Sequence, residues 1–357
     1  MTTEIKQASR AATSPVRNAS MVQGSFAHSS PFRGSWLERL YRGVAPCVYP
    51  VKIRSDLEFS ELIETYRVFP ELLIESNFIP GRFGVHALCR ELGINRITSE
   101  DGFFPHYLTI HADPVGFCWE SSLSKMSFWR CTDKQRRAAR HARADWLQFE
   151  IRELPDCVQP PFVLWPLQLI GDNVNRWDAF FPSWIEVIRH FRACLPSEFQ
   201  LILKHHPRAK AQDFAGIEEL VSELPNTCLI DDGADLKTLL SRCAAVAGVN
   251  STVLTEARVM FLKPVYAYGR SWYSSHDALI TPMNHRTPTR LPECFEHVVH
   301  PEKQDEWLRD YVDWYLYQLL SRQLSRKVAE SDPAYLKRFV DRLSYHSFLR
   351  YGEAIFD

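Results

Sequence analysis

AAVAGVNSTVLTEARVMFLKPVYAY, residues 244–268, reads as an apolar strand (244–249), a helix opened by Ser251 and Thr252, and a second apolar strand (264–268). The same alternation extends upstream. FVLWPLQLI (162–170) is a strand, SWIEVIRHFRACL (183–195) a helix and FQLILKHH (199–206) a strand. A helix near 211–223, the strand TCLI (227–230) and the helix ADLKTLLSRC (234–243) complete the series. Apolar runs of strand length alternating with amphipathic helices specify a parallel α/β sheet. Ligands of such sheets bind beyond the carboxyl ends of the strands. That rule selects Asp172, the His205–His206–Pro207 turn, Gly248–Thr252 and Tyr268–Arg270.

Composition narrows the class. The 357 residues suffice for two domains with their own cores. A formal net charge of -1 does not suit an overall basic nucleic-acid binder. The nine cysteines form no CxxC pair, which suits reduced thiols better than a disulfide framework or a zinc site. No run of about 18 apolar residues and no secretory-type apolar segment occurs, so the expected location is the cytoplasm. Residues 1–40 are expected to be a disordered or loosely attached arm, and 41–160 an acceptor-side α/β domain. Residues 161–302 would be a nucleotide-binding domain, and 303–357 helices returning to the first domain. Within 41–160, ELLIE (71–75) and VGFCWE (115–120) read as strands and VHALCREL (85–92) as a helix. The basic helix DKQRRAARHARADWLQF (133–149) lacks interleaved aromatics and is read as a solvated surface helix. The aromatic spacing of the tail helices suits a packed stripe, with a peripheral membrane face as the sharper alternative.

GVNSTVLTEA (248–257) carries the most informative chemistry. Unpaired N–H groups and the positive end of a helix favour an anion such as phosphate. Thr252 and Glu256 share one helical face about 6 Å apart, a separation that suits a phosphate and a ribose diol. A capped helix with an outward glutamate accounts for the same residues equally well. In KHHPR (204–208) the proline fixes the direction of His206, a donor to a leaving phosphate, and Lys204 adds a point charge. In SEDGFF (99–104) residue types alone favour a turn around Asp101–Gly102 over an acid/base role for Glu100. Asp231, Asp232 and Asp235 are better explained by a loop and a helix cap than by a metal.

Four motifs, in order over residues 80–273, resemble those of bacterial capsule polysaccharide synthesis proteins, a family that includes retaining β-Kdo glycosyltransferases. They are GRFGVHALCRELGINRITSEDGFF, VLWPLQLIGDNV, LILKHHPR and GVNSTVLTEARVMFLKPVYAYGRSWY. The resemblance implies a GT-B-like fold: two Rossmann-like domains facing a cleft, with C-terminal helices packing back across them. It implies Asp172 as the carboxylate acting on the anomeric carbon, Glu100 as general acid/base and His206 as the phosphate ligand. Ser251 and Thr252 would grip the phosphate and Glu256 the ribose. Gln168, Lys204, His205, Asn250 and Arg270 complete the expected CMP-sugar site. CMP carries a single phosphate, so cationic and helix-end donors suffice, and neither metal nor cofactor is expected. The implied partners are CMP-Kdo and a glycan or glycolipid acceptor, with no nucleic acid; membrane contact or other polysaccharide-assembly proteins would be further partners. The alternatives are transfer of another CMP-activated nonulosonate of sialic-acid type, or a catalytically silent assembly partner.

Overall fold

The computed structural model describes residues 126–169, 183–210, 215–231, 233–271, 279–283 and 306–321, with Asp213, His276 and single positions between 328 and 338. It also describes the backbone of strands at 25–27, 49–51, 72–76, 95–101, 107–111 and 323–325. Asp172, the helix expected over 85–92 and the strand expected over 115–120 lie outside the described residues. The chain divides into two compact units, Met1–Gly116 with Ser321–Asp357, and Phe117–Leu320. This division falls earlier than the 160/161 boundary expected from the sequence.

The first unit holds a six-stranded sheet built from β1 (Ser25–Ala27), β2 (Tyr49–Val51), β3 (Leu72–Ser76), β4 (Asn95–Asp101), β5 (Tyr107–His111) and β12 (Gln323–Ser325), in the order β12-β5-β4-β3-β1-β2. The β2, β1, β3 and β4 neighbours are parallel, whereas β5 and β12 add antiparallel pairs at one side. Two readings are corrected here. Ser25–Ala27, inside the expected arm, is a strand flanked by β2 and β3. Its backbone groups are met from both sides, so a segment too polar to signal a strand is held in one. Glu100 and Asp101 are ladder residues opposite Thr109 and Leu108, not the centre of a turn.

The second unit carries β6 (Phe162–Pro166), β7 (Gln200–Lys204), β8 (Thr227–Ile230), β9 (Ala245–Gly248), β10 (Val265–Ala267) and β11 (Thr281–Pro282). Their order is β11-β10-β9-β6-β7-β8, and every neighbouring pair is parallel. β6 runs outward to β7 and β8; the chain then recrosses to place β9, β10 and β11 on the opposite side of β6. This is the doubly wound Rossmann order, whose direction reverses between β6 and β9.

Helices α1 (Asp133–Trp146), α2 (Trp184–Cys194), α3 (Ile217–Glu223), α4 (Leu236–Arg242), α5 (Thr252–Val259) and α6 (Glu306–Ser321) accompany the second sheet. Side chains cap them where the sequence places Ser, Thr or Asp. Ser183 Oγ accepts from Glu186 N at 3.1 Å, and Asp235 Oδ2 from Thr238 N at 2.8 Å. Asp235 is thus the helix cap read from the sequence. β6, β7 and β9 are buried at every position. Trp165, Phe191 and Tyr266 are among the largest fully enclosed side chains. Trp165 packs on Phe191 at 5.3 Å and on Tyr268 at 5.8 Å between ring centroids. Each such side chain stabilises the sheet–helix interface by about 2–3 kcal/mol.

α1 is a surface helix, as expected, but one of its basic faces is docked. Arg136 forms a two-point pair with Asp310 of α6, at 2.8 Å from Nε and 2.7 Å from Nη2. One turn along, Arg140 and Arg143 converge on Asp313, at 3.2 and 2.8 Å. The basic residues at positions 136, 140 and 143 share one helical face, and the acids of α6 neutralise it. Phe128, ahead of α1, packs on Tyr311 at 4.9 Å and on Trp314 at 5.4 Å. The aromatic spacing of α6 is in this respect a packed stripe. No described helix is long and apolar enough to cross a membrane.

Candidate functional site

The strand order of the second sheet reverses between β6 and β9, and the residues that leave those strands are joined there. Gln168 Nε2 donates to Asn250 Oδ1 at 2.9 Å, and Asn250 N donates to Gln168 Oε1 at 3.2 Å. The strand ends are therefore clasped by two hydrogen bonds at the point where doubly wound sheets receive a ligand. β10 supports the same loop from its other side. Tyr268 N donates to Gly248 O and Gly269 N to Val249 O, both at 2.9 Å. A Cβ at Gly269 would lie 2.8 Å from Val249 Cγ1 and 3.0 Å from Val249 O, so only glycine permits this approach.

The clasped loop runs into α5. Ser251 is its N-cap, and Oγ accepts from Val253 N at 3.3 Å. Thr252 is exposed beside it. The helix start, two hydroxyls and the positive end of α5 together form an anion-receptive surface.

β7, the other neighbour of β6, ends at Lys204 and is followed by His205 and His206. Arg208 N donates to His206 Nδ1 at 3.1 Å. A backbone N–H can be accepted only by an unprotonated ring nitrogen, so the neutral imidazole carries its hydrogen on Nε2. Lys204 is placed differently from the expectation of a phosphate-facing charge. Its side chain is buried, and Nζ donates to Asp231 O at 3.2 Å, bracing the end of β8. His205 is tied to β8 through its backbone, with N to Ile230 O at 3.0 Å. Arg270 is exposed just past Gly269.

Glu256 lies one turn below Thr252 and meets groups that the sequence reading did not connect with it. Trp146 Nε1, at the end of α1, donates to Glu256 Oε1 at 3.0 Å. Lys237 Nζ stands 4.0 Å from the centroid of the Trp146 ring and donates to Trp146 O at 3.2 Å. Enclosure pushes the Glu256 carboxyl from its ordinary 4.5 up to about 7, against the Trp146 hydrogen bond and the Lys237 charge, which favour ionisation. The only clue in the sequence is that Lys237 opens the helix after β8, at another strand end.

The raised carboxyl makes stability fall as pH rises through about 7, because the folded state holds this proton more tightly than the unfolded chain. Glu256→Gln, which mimics the protonated form, is expected to be more stable than wild type by about 2 kcal/mol above pH 7.5, allowing for partial exposure. The difference shrinks through the interval from pH 7 to 4.5 bounded by the two pKa values. Thermal unfolding of both proteins across that interval checks this; a gap that does not change with pH would contradict the shift.

The catalytic set is not assembled among the described residues. Asp172 lies four residues beyond Gln168, outside them, and of Glu100 the backbone is described, paired in β4.

A largely parallel six-stranded sheet in the first unit and a doubly wound α/β sheet in the second give a GT-B-like fold. Residues 125–281 match the family of capsule polysaccharide biosynthesis proteins, over the segment that carries the clasp, the His-Pro turn and α5. Among solved structures, the chain is similar to the β-Kdo 2,7-transferase of Thermosulfurimonas dismutans KpsC, at 17% identity and a TM-score of 0.53. That match covers 88% of this chain and 99% of the other. The β-Kdo 2,4-transferase of the same organism's KpsC matches at 14% identity and a TM-score of 0.53, covering 83% of this chain and 90% of the other. These likenesses concern the fold. No curated protein matches the chain by sequence.

Proposed function

We propose that the protein is a retaining glycosyltransferase that moves β-Kdo from CMP-Kdo to a cell-surface glycan or glycolipid acceptor. The observation that carries this reading is the clasped β6–β9 switch point, followed at once by the anion-receptive start of α5. A single phosphate suits that start, and Glu256 stands one turn away where a ribose would follow. The family match over 125–281 and the fold shared with the two Kdo transferases support the choice of donor.

In this reading Asp172 attacks the anomeric carbon as the bond to the CMP phosphate oxygen breaks. The sugar becomes bound to the carboxylate, and CMP departs with His206 Nε2–H and the α5 start stabilising its charge. An acceptor hydroxyl then displaces the carboxylate and restores the original configuration, its proton passing to Glu100. Gln168 and Asn250 hold the loop in shape, and Lys204 braces the neighbouring strand end. The protein works at the inner face of the cytoplasmic membrane, where activated sugars and lipid-linked primers meet.

The test is incubation of purified protein with CMP-Kdo or CMP-sialic acid and candidate glycolipid acceptors, with mass detection of product. CMP release and a product larger by one Kdo are expected, with turnover unchanged by EDTA. Consumption of CMP-sialic acid alone would transfer the reading to that donor, and no CMP release from either with a competent acceptor would end the enzyme reading.

A further inference from the structure

Trp146 and Lys237 come from two helices that the sequence does not connect, yet both converge on Glu256. Trp146 takes up Oε1 and no second hydrogen bond to this carboxylate is seen among the described residues. A carboxylate offers about four acceptor positions, so one indole N–H leaves most of them open. A glutamate on a helix face ordinarily samples many rotamers and loses that freedom when a ligand binds. Here the indole has already fixed the side chain, on the helical face it shares with the exposed Thr252.

The indole is itself covered on one face by a cation. Lys237 Nζ lies over its ring and bonds its carbonyl. Phe149, three residues further, packs on Phe261 at 6.0 Å between centroids. Arg143 Nε donates to Val259 O at 2.8 Å, anchoring the end of α1 directly on α5. The charges around the carboxyl are few. Lys237 from α4 acts on it; Arg143 of α1 is committed to Val259 and Asp313; Arg258 of α5 turns to Lys263 O; and Asp145 pairs with His141 on the exposed side of α1.

We propose that Trp146 and Lys237 are positioning residues for nucleotide recognition: they orient the Glu256 carboxylate so that it reads the ribose 2′-hydroxyl. This rests on the reading of Glu256 as the ribose ligand, and it makes α1 part of the donor site. A donor with 2′- and 3′-hydroxyls is then preferred over its 2′-deoxy counterpart, and the preference is strongest where Glu256 is ionised.

The experiment is calorimetric titration of CMP and 2′-deoxy-CMP into wild type, Trp146→Phe and Lys237→Met between pH 6 and 8.5. The ratio of the two affinities is the readout, because titration of the nucleotide phosphate cancels in it. Wild type is expected to bind CMP at least tenfold more tightly at pH 8, with the ratio falling toward pH 6. Trp146→Phe keeps the ring but lacks the N–H; it is expected to lower the ratio at least fivefold while 2′-deoxy-CMP binds as before. Lys237→Met is expected to move the midpoint of the pH response upward, since the cation favours the ionised carboxylate. Equal weakening of both nucleotides in Trp146→Phe would reduce Trp146 to a packing element and overturn the proposal. A wild-type ratio near one would overturn the ribose reading of Glu256 itself, a failure visible before any variant is made.

Discussion

Asp313→Ala is expected to destabilise the protein by about 3–5 kcal/mol, the cost of leaving a buried cation without its partner. The Asp313 side chain is 4% exposed and receives both Arg140 and Arg143; the Arg143 side chain is itself only 12% exposed. Removing the carboxylate strands the Arg143 guanidinium in a place where water cannot replace it. Arg140 provides the internal contrast, because its side chain is 61% exposed. Arg140→Ala is expected to cost less than about 1 kcal/mol. Asp313→Asn retains two acceptor positions and should fall between the two. Urea unfolding of the three variants settles the order. The double variant Asp313→Ala/Arg143→Ala should recover part of the loss, since it removes the stranded charge. Should Asp313→Ala prove no worse than Arg140→Ala, the ion pair is not the anchor of α1. Because Arg143 also holds Val259 O of α5, loosening α1 is expected to weaken CMP binding as well.

The largest catalytic effect is expected at Asp172. Asp172→Ala should lower turnover by about a thousandfold or more, equivalent to some 4 kcal/mol of transition-state stabilisation. CMP affinity should remain within about threefold of wild type, because the groups assigned to the nucleotide lie on α5 and after β7. That separation marks a residue that acts on the transition state and not on donor binding. Intact-mass analysis of wild-type enzyme held with CMP-Kdo and no acceptor should show one added sugar, mapping to Asp172. An adduct on another residue, or full activity in Asp172→Ala, would remove the residue from the mechanism.

The second unit was largely legible in its sequence. β6, β7 and β9 are covered on both faces, so they appear as unbroken apolar runs. TCLI matches β8 at both ends because turn and cap residues flank it. The first unit was less legible. β1 is three residues long in a Ser- and Ala-rich stretch, and what holds it is pairing on both sides. β5 (YLTIH) was missed, and with it the antiparallel partner that turns the acids of SEDGFF into ladder residues.

Pairings between distant segments account for the remaining differences. The arginines of α1 looked solvated because their acidic partners are 174 and 173 residues away. Gln168 and Asn250 were each visible as strand-end residues. Their mutual bond depends on β6 lying beside β9, which strand order decides and local pattern does not. Trp146 looked like the apolar end of a surface helix; its bond to Glu256 spans 110 residues.

The Gln168–Asn250 clasp has one further consequence: it is neutral on both sides. An ion pair could tie the two strand ends as firmly, but it would place a full negative charge beside the positive start of α5. Its strength would also vary with salt and pH. Two amides supply shape without a field. The mouth of the sheet can therefore keep its form across solution conditions, while under the proposed function the attraction for the donor would rest with the helix start and the imidazole.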